Sequence, residues 1–129
     1  MANRQLISSG TSWEKQFVYS RALRVGPFVF VAGTTAINEA GEVVGTGNSY
    51  QQAMYIFQKI EKALQEAGAS LQDVVRIRTF VTDISQWEAV GRAQGEIFAT
   101  IRPVATLVAV KALVHPELMV EIEADAVID

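Results

Sequence analysis

Apolar and polar residues alternate along much of this chain, and the alternation predicts most of its strands. In the stretch 74–83, VVRIRTFVTD, the residues Val75, Ile77, Thr79 and Val81 fall on one side, and Arg76, Arg78, Phe80 and Thr82 on the other. That is the period of an extended strand. Over 119–127, Val120, Ile122, Ala124 and Ala126 share one side, and Glu121, Glu123 and Asp125 share the other. Over 104–110, Ala105, Leu107 and Ala109 face one way, and Thr106, Val108 and Val110 the other. The segment 28–32 is apolar on both sides, as in a strand covered twice. Before it, 16–26 alternates imperfectly, with Phe17, Tyr19, Arg21 and Leu23 together. The Gly26-Pro27 break between the two predicts a hairpin. Val43-Val44 adds a short strand after the turn at 38–42.

Two segments carry a helical period instead. In YQQAMYIFQKIEKALQEAG, the residues Ala53, Ile56, Phe57, Ile60, Leu64 and Ala67 form one stripe, which packs on one apolar surface. Either Ser49 with Gln52 or Asn48 with Gln51 caps its start, and Gly68 ends it. A second helix is expected over 85–100, with Ser85 and Glu88 as capping pair and Trp87, Val90, Ile97 and Phe98 on its apolar side. Arg102-Pro103 closes it. The order is ββ(β)αβαββ, a single α/β domain over 1–129: a mixed sheet of five or six strands with two helices on one face.

Two helices cover only one face of such a sheet. The other is expected to carry Phe80, Leu107, Ala105, Ala109 and Phe30 among Arg76, Arg78, Glu121, Glu123 and Asp125. This surface is too apolar for water and too charged for an ordinary core. Packing between identical subunits satisfies both, because buried charges need partners and apolar area gains by leaving water. A homo-oligomer with sheets packed together is therefore expected.

Composition narrows the chemistry. A net charge of -3 and a pI near 5.2 leave no broad basic footprint for nucleic acid. There is no cysteine, so thiol catalysis, disulfides and iron–sulfur ligation are excluded. The single histidine, His115, excludes a His-rich zinc site within one subunit. No GxGxxG, P-loop or nucleophile-elbow pattern occurs. The opening MANRQLISSG lacks the apolar run of a signal peptide, and no segment reaches the roughly 20 apolar residues of a membrane span. A soluble cytoplasmic protein follows as the expectation.

Several side chains qualify as site residues. Glu121 either handles a proton or a water, or pairs with Arg76 or Arg78. Glu123 suits an ion pair, and Asp125 lies near the chain end, where water reaches it. Tyr19 offers a hydroxyl to a pocket, or is an aromatic interface residue. Arg21, Arg24 and Arg102 present forks that suit a carboxylate; otherwise they blunt a strand edge or meet a helix C-terminus. Gly33, followed by Thr34 and Thr35, permits close approach by a ligand or by backbone.

Four stretches resemble the RidA family, also called YjgF/YER057c/UK114: RVGPFVFVAGTTAI, GNSYQQAMYIFQKIEKALQEAGASLQDVVRIRTFVTDISQWEAV, RPVATLVAV and MVEIEADAVI. The run AL-x-x-AG-x-x-x-x-DVV-x-x-x-x-FVTD with a later VEIEA is specific to that family. The resemblance implies a chorismate-mutase-like fold and a homotrimer with sheets inside and pockets between subunits. It also implies hydrolysis of reactive enamines and imines such as 2-aminoacrylate, without metal or organic cofactor. Tyr19 and Glu121 match pocket residues of the family. The family's substrate-holding arginine sits in Pro-x-Arg-[Ser/Thr]; here that motif reads Pro103-Val104-Ala105-Thr106. Ala105 thus stands at the arginine position, Leu107 at a frequent cysteine, Ala32 at a pocket serine and Gly91 at an asparagine of the second helix. Arg21 and Arg102 are the candidates to replace the missing guanidinium. The resemblance implies a small-molecule ligand, with Glu121 and Tyr19 catalytic and Arg21, Arg102, Gly33, Ala105 and Leu107 around the substrate. The alternative is a metabolite-binding or regulatory trimer without turnover. Members described as ribonucleases or inhibitors of translation are poorly matched by one histidine and no basic patch.

Overall fold

The computed structural model describes residues 3–129. Six strands form one sheet: β1 (Arg4–Ile7), β2 (Ala22–Val25), β3 (Phe28–Thr35), β4 (Val74–Val81), β5 (Val104–Ala109) and β6 (Val120–Val127). Their order across the sheet is β1-β2-β3-β6-β4-β5. Only β4 and β5 run parallel. Three α-helices join them: α1 (Ser12–Phe17), α2 (Ser49–Glu66) and α3 (Trp87–Phe98). The mixed sheet is as expected. The chain-terminal strand β6 lies at its centre, between β3 and β4.

The core lies between α2, α3 and one face of this sheet. Val29, Val31, Ile77, Val81, Val120, Ile122, Ala124 and Ala126 are buried there against Ile56, Phe57, Ile60, Leu64, Val90 and Phe98. Each larger side chain so placed contributes about 1.5–3 kcal/mol. Phe57 and Phe98 join the two helices edge to face at 5.3 Å. The predicted stripe of α2 is buried throughout. Its cap is Asn48, whose side chain accepts from the Gln51 amide, which settles the choice left open above. Gln52, fully buried, donates to the Glu117 carbonyl at 2.9 Å and accepts from the Met119 amide at 2.8 Å. That clamp sets the entry of β6.

Elsewhere the chain departs from the pattern. Residues 16–21 are not strand. Thr11 caps α1, and Val18 ends it in the left-handed region at φ 61. The helix start is fixed by Glu14, which gathers hydrogen bonds from Ser8, Ser9 and Thr11. β1 pairs with β2 and went unseen, being short and mostly exposed. Val43 makes only an isolated bridge to Ile37. Asp83, not Ser85, caps the approach to α3, accepting from the Ser85 amide ahead of a single 3₁₀ turn. A register shift between Val74 and Arg76 turns Val75 outward, to 44% exposure, and puts Val74 in the core instead.

The uncovered face also differs from expectation in one strand. Along β5, Ala105, Leu107 and Ala109 pair with Ile77, Thr79 and Val81, all buried on the helix side. They therefore face the helices, and Leu107 packs against the core. Val104, Thr106 and Val108 take the open face, in register with Arg76, Arg78 and Phe80. Both alternations of β5 are apolar, so pattern alone did not choose between them. Phe28, Phe30, Val104 and Val108 are exposed on this side. Among the described residues no helix is long and apolar enough to cross a membrane.

Candidate functional site

The three carboxylates of β6 do share the open face, as the alternation requires, but they are not equivalent. Arg78 reaches both Glu123 and Asp125, with Nη1 3.1 Å from one carboxylate and 3.3 Å from the other. Arg76 adds a longer contact of 3.9 Å to Asp125. Register places these cations directly across the sheet, Arg78 opposite Glu123 and Arg76 opposite Asp125. Asp125 is thus an ion-pair residue, contrary to the solvated position expected for it: two arginines on β4 meet it because the strands are antiparallel and in step.

Glu121, two residues from that cluster, has a different setting. Its neighbours in register are Phe80 on β4 and Thr35 on β3, and neither offers a cation. Among the described residues it has no ion-pair partner. Its carboxylate instead rests on Gly33, so closely that a Cβ there would lie 2.1 Å from Oε2. Only glycine permits that approach. Burial raises the Glu121 pKa above its ordinary value; the nearby Arg21 opposes the rise, and the repulsion of Glu123 adds to it. A carboxyl so held exchanges a proton closer to neutrality than an ordinary glutamate, as acid–base work requires.

Arg21 stands beside this carboxyl with only 9% of its surface exposed. Its Nη2 donates to the Gly33 carbonyl at 2.9 Å. Its Nε is buried without a hydrogen-bond partner among the described residues. The guanidinium lies 5.9 Å from the Tyr19 ring. Tyr19 in turn opens onto a cleft of about 720 Å³ lined also by Ser20, Phe30, Arg78, Glu123 and Asp125. That volume suits a small metabolite.

Of the residues singled out by sequence, the structure therefore brings Glu121, Gly33 and Arg21 together. Tyr19 joins them only through the face it turns to Arg21, and the cleft it lines is walled by Glu123 and Asp125 and not by Glu121, Gly33 or Arg21. The structure leaves Ala105 and Leu107 on the sheet's outer strand, two strands away from Glu121. Arg102 occupies the turn before that strand, exposed and in the left-handed region at φ 55. Arg24 is spent on the Gly26 and Ala67 carbonyls. His115 Nδ1 accepts from the Glu117 amide, a loop-fixing role.

Two charged residues near this site were missed by sequence reasoning. Lys59 donates to the Thr35 and Ile37 carbonyls at 2.7 and 2.9 Å. Burial first, and Arg21 second, lower its pKa to about 8, against the pull of Glu14. Glu14 itself is buried. Burial pushes its carboxyl up, yet the donors from Ser9, Thr11 and Ser8 outweigh this and hold it below the ordinary value. Lys59 lies off the apolar stripe of α2, so the helical period gives it no special place. The only hint was Gly33 inside an apolar strand, a sign that the ladder breaks there.

Comparison with known proteins gives this geometry its context. The sequence profile of the endoribonuclease L-PSP family matches residues 11–128. The crystal structure of Rv2704 from Mycobacterium tuberculosis, described as a member of the highly conserved YjgF/YER057c/UK114 family, superposes with a TM-score of 0.89 at 46% identity, covering 98% of this chain and 100% of that one. The 3-aminoacrylate deaminase RutC of Acinetobacter baylyi is 31% identical over 108 residues, 84% of this chain and 85% of its own. A 2-iminobutanoate/2-iminopropanoate deaminase of Dermatophagoides farinae is 26% identical over 129 residues, the whole of both chains.

Proposed function

The chain belongs to the RidA (YjgF/YER057c/UK114) family, and we propose that it is a hydrolase of a reactive imine or enamine, acting in the cytoplasm as a homotrimer. The observation that carries the reading is Glu121, half-buried with a raised pKa, unpaired, and set against a glycine beside a buried arginine. The deaminases named among its relatives act on substrates of that class. The reaction needs what this site offers. Water adds to the imine carbon, and Glu121 takes one water proton as the C–O bond forms. It returns that proton to nitrogen as the C–N bond breaks. The remaining hydroxyl proton leaves with the nitrogen, giving a carbonyl compound and ammonia.

Arg21 is the residue we assign to the substrate's carboxylate, in place of the guanidinium that Ala105 lacks. Arg102 is the second candidate. Tyr19 orients the ligand at the mouth of the cleft. The backbone donors of the outer strand β5 near Leu107 complete the site from the neighbouring subunit, while the Ala105 and Leu107 side chains turn toward the helices. The exposed Phe28, Phe30, Val104 and Val108 on the helix-free face favour that assembly, because apolar area there gains about 25 cal/mol per Å² on leaving water. Size measurement at low micromolar concentration should give three copies; a monomer overturns the trimer and the shared cleft together.

Ammonia release from 2-iminopropanoate generated in place tests the activity. Acceleration over buffer is expected. Ala105 itself favours a second reading, a trimer that binds a metabolite without turning it over. Saturable binding of the corresponding keto acid with no acceleration would select it.

A further inference from the structure

The backbone of β3 loses its neighbour on one side before the strand ends. β2 pairs with β3 only as far as Ala22 opposite Val31, with one further bond from the Ala32 amide to the Arg21 carbonyl. The ladder to β6 shifts register between Val31 and Thr34. Beyond this point the Gly33 carbonyl faces the vacated side, where it meets Arg21. Carbonyls two residues apart on a strand point the same way, so Thr35 shares this side, and Ile37 follows it. Backbone carbonyls in such a place must be satisfied. Both accept from one atom, Lys59 Nζ, which arrives from α2 at 2.7 and 2.9 Å.

On its other side the same short segment carries the candidate site. Thr35 is the register partner of Glu121, and Gly33 is the surface on which the Glu121 carboxylate rests. Whatever fixes residues 33–37 therefore fixes the floor under that carboxylate. We propose that Lys59 is a positioning residue for Glu121: its ammonium supplies the hydrogen bonds of the missing strand edge, and so holds the backbone against which the acid is set. Its bearing on catalysis rests on the imine-hydrolase reading given above. A purely structural role would be served as well by an uncharged donor. The fold instead keeps a cation where burial and Arg21 both disfavour the charge, and where only Glu14 favours it.

Lys59→Met keeps the apolar stem and removes both bonds, while Lys59→Arg keeps a cation with several donors. In labelled protein, Lys59→Met should speed amide exchange at residues 33–37 and at Glu121 by about tenfold or more relative to the β4–β5 amides, as loss of charge-assisted bonds to buried carbonyls implies. The Glu121 carboxyl, newly reached by water, should titrate closer to an ordinary glutamate. The turnover number should fall with the Michaelis constant little changed, and Lys59→Arg should retain most of the wild-type behaviour in all three readouts. Unchanged exchange together with an unchanged titration would overturn the assignment. So would a rise in the Glu121 pKa, since that is the mark of a cation lost through space rather than a floor loosened. Should Lys59→Met fail to fold, Lys59→Gln, too short to reach both carbonyls, is read by the same criteria. If the exchange and titration respond as expected but the wild-type protein releases no ammonia, the positioning role stands and the hydrolase reading falls.

Discussion

The two ends of one run of acids on β6 are solved in opposite ways. At Glu123 and Asp125, antiparallel register brings arginines across the sheet, and each carboxylate finds a cation. At Glu121 the same register brings Phe80 and Thr35, and the nearest cation, Arg21, is engaged with a backbone carbonyl. Two residues of sequence thus separate the paired acids from an acid left open for chemistry. The difference comes from the neighbouring strands, not from the acids themselves.

Exchanging the acids one at a time should widen that contrast most. Glu121→Gln is expected to slow imine hydrolysis by about 10²–10⁴-fold, the range for removing a positioned acid–base group, while Glu123→Gln stays within about threefold of wild type. Ammonia release by both variants, with trimer size as control, measures this. Gly33→Ala comes next. Its methyl group collides with the Glu121 carboxylate, a flexible side-chain end that swings aside, so stability should change by less than about 0.5 kcal/mol. Activity should drop by about 10–100-fold through misplacement.

At the paired end the effect should be on stability. Arg78→Met leaves Glu123 and Asp125 facing each other with only the distant Arg76, and should cost about 1 kcal/mol, since the pair is part-exposed. Urea midpoints at constant slope check it, and activity should move little.

The smallest effects are in pH dependence, and they differ in sign. Glu121, with its folded pKa raised, holds a proton in the folded state that the unfolded chain has already released. Its contribution is present below the model-peptide value of 4.5 and is lost as pH rises through the raised value. Glu14, with its folded pKa lowered, contributes above 4.5, and the contribution is lost as pH falls through the lowered value. Unfolding followed across the acid range in Glu121→Gln and Glu14→Gln should remove opposite slopes.

Much of the layered fold was legible because period and burial agree. The stripe of α2 and the strict alternation of β6 each have one apolar side, so each orients itself. β5 does not, being apolar on both sides, and Leu107 was accordingly assigned to the wrong face. The helix α1 was hidden under an apparent strand, because its start depends on Glu14 collecting hydroxyls from Ser8, Ser9 and Thr11, a tertiary arrangement that no period reveals. Within the site, Glu121, Gly33 and Arg21 stood out by type and place. Lys59 did not, because its task is set by where β2 stops pairing with β3.

The most direct test of the account is the side-chain titration of Glu121 in the wild-type protein, followed by carboxyl carbon resonances. The account predicts a midpoint above that of an ordinary glutamate, shifting back toward it in Gly33→Ala as the carboxylate is pushed toward water. A midpoint at or below the ordinary value would mean that Glu121 is paired like its neighbours, and would contradict the claim that β6 keeps one acid free.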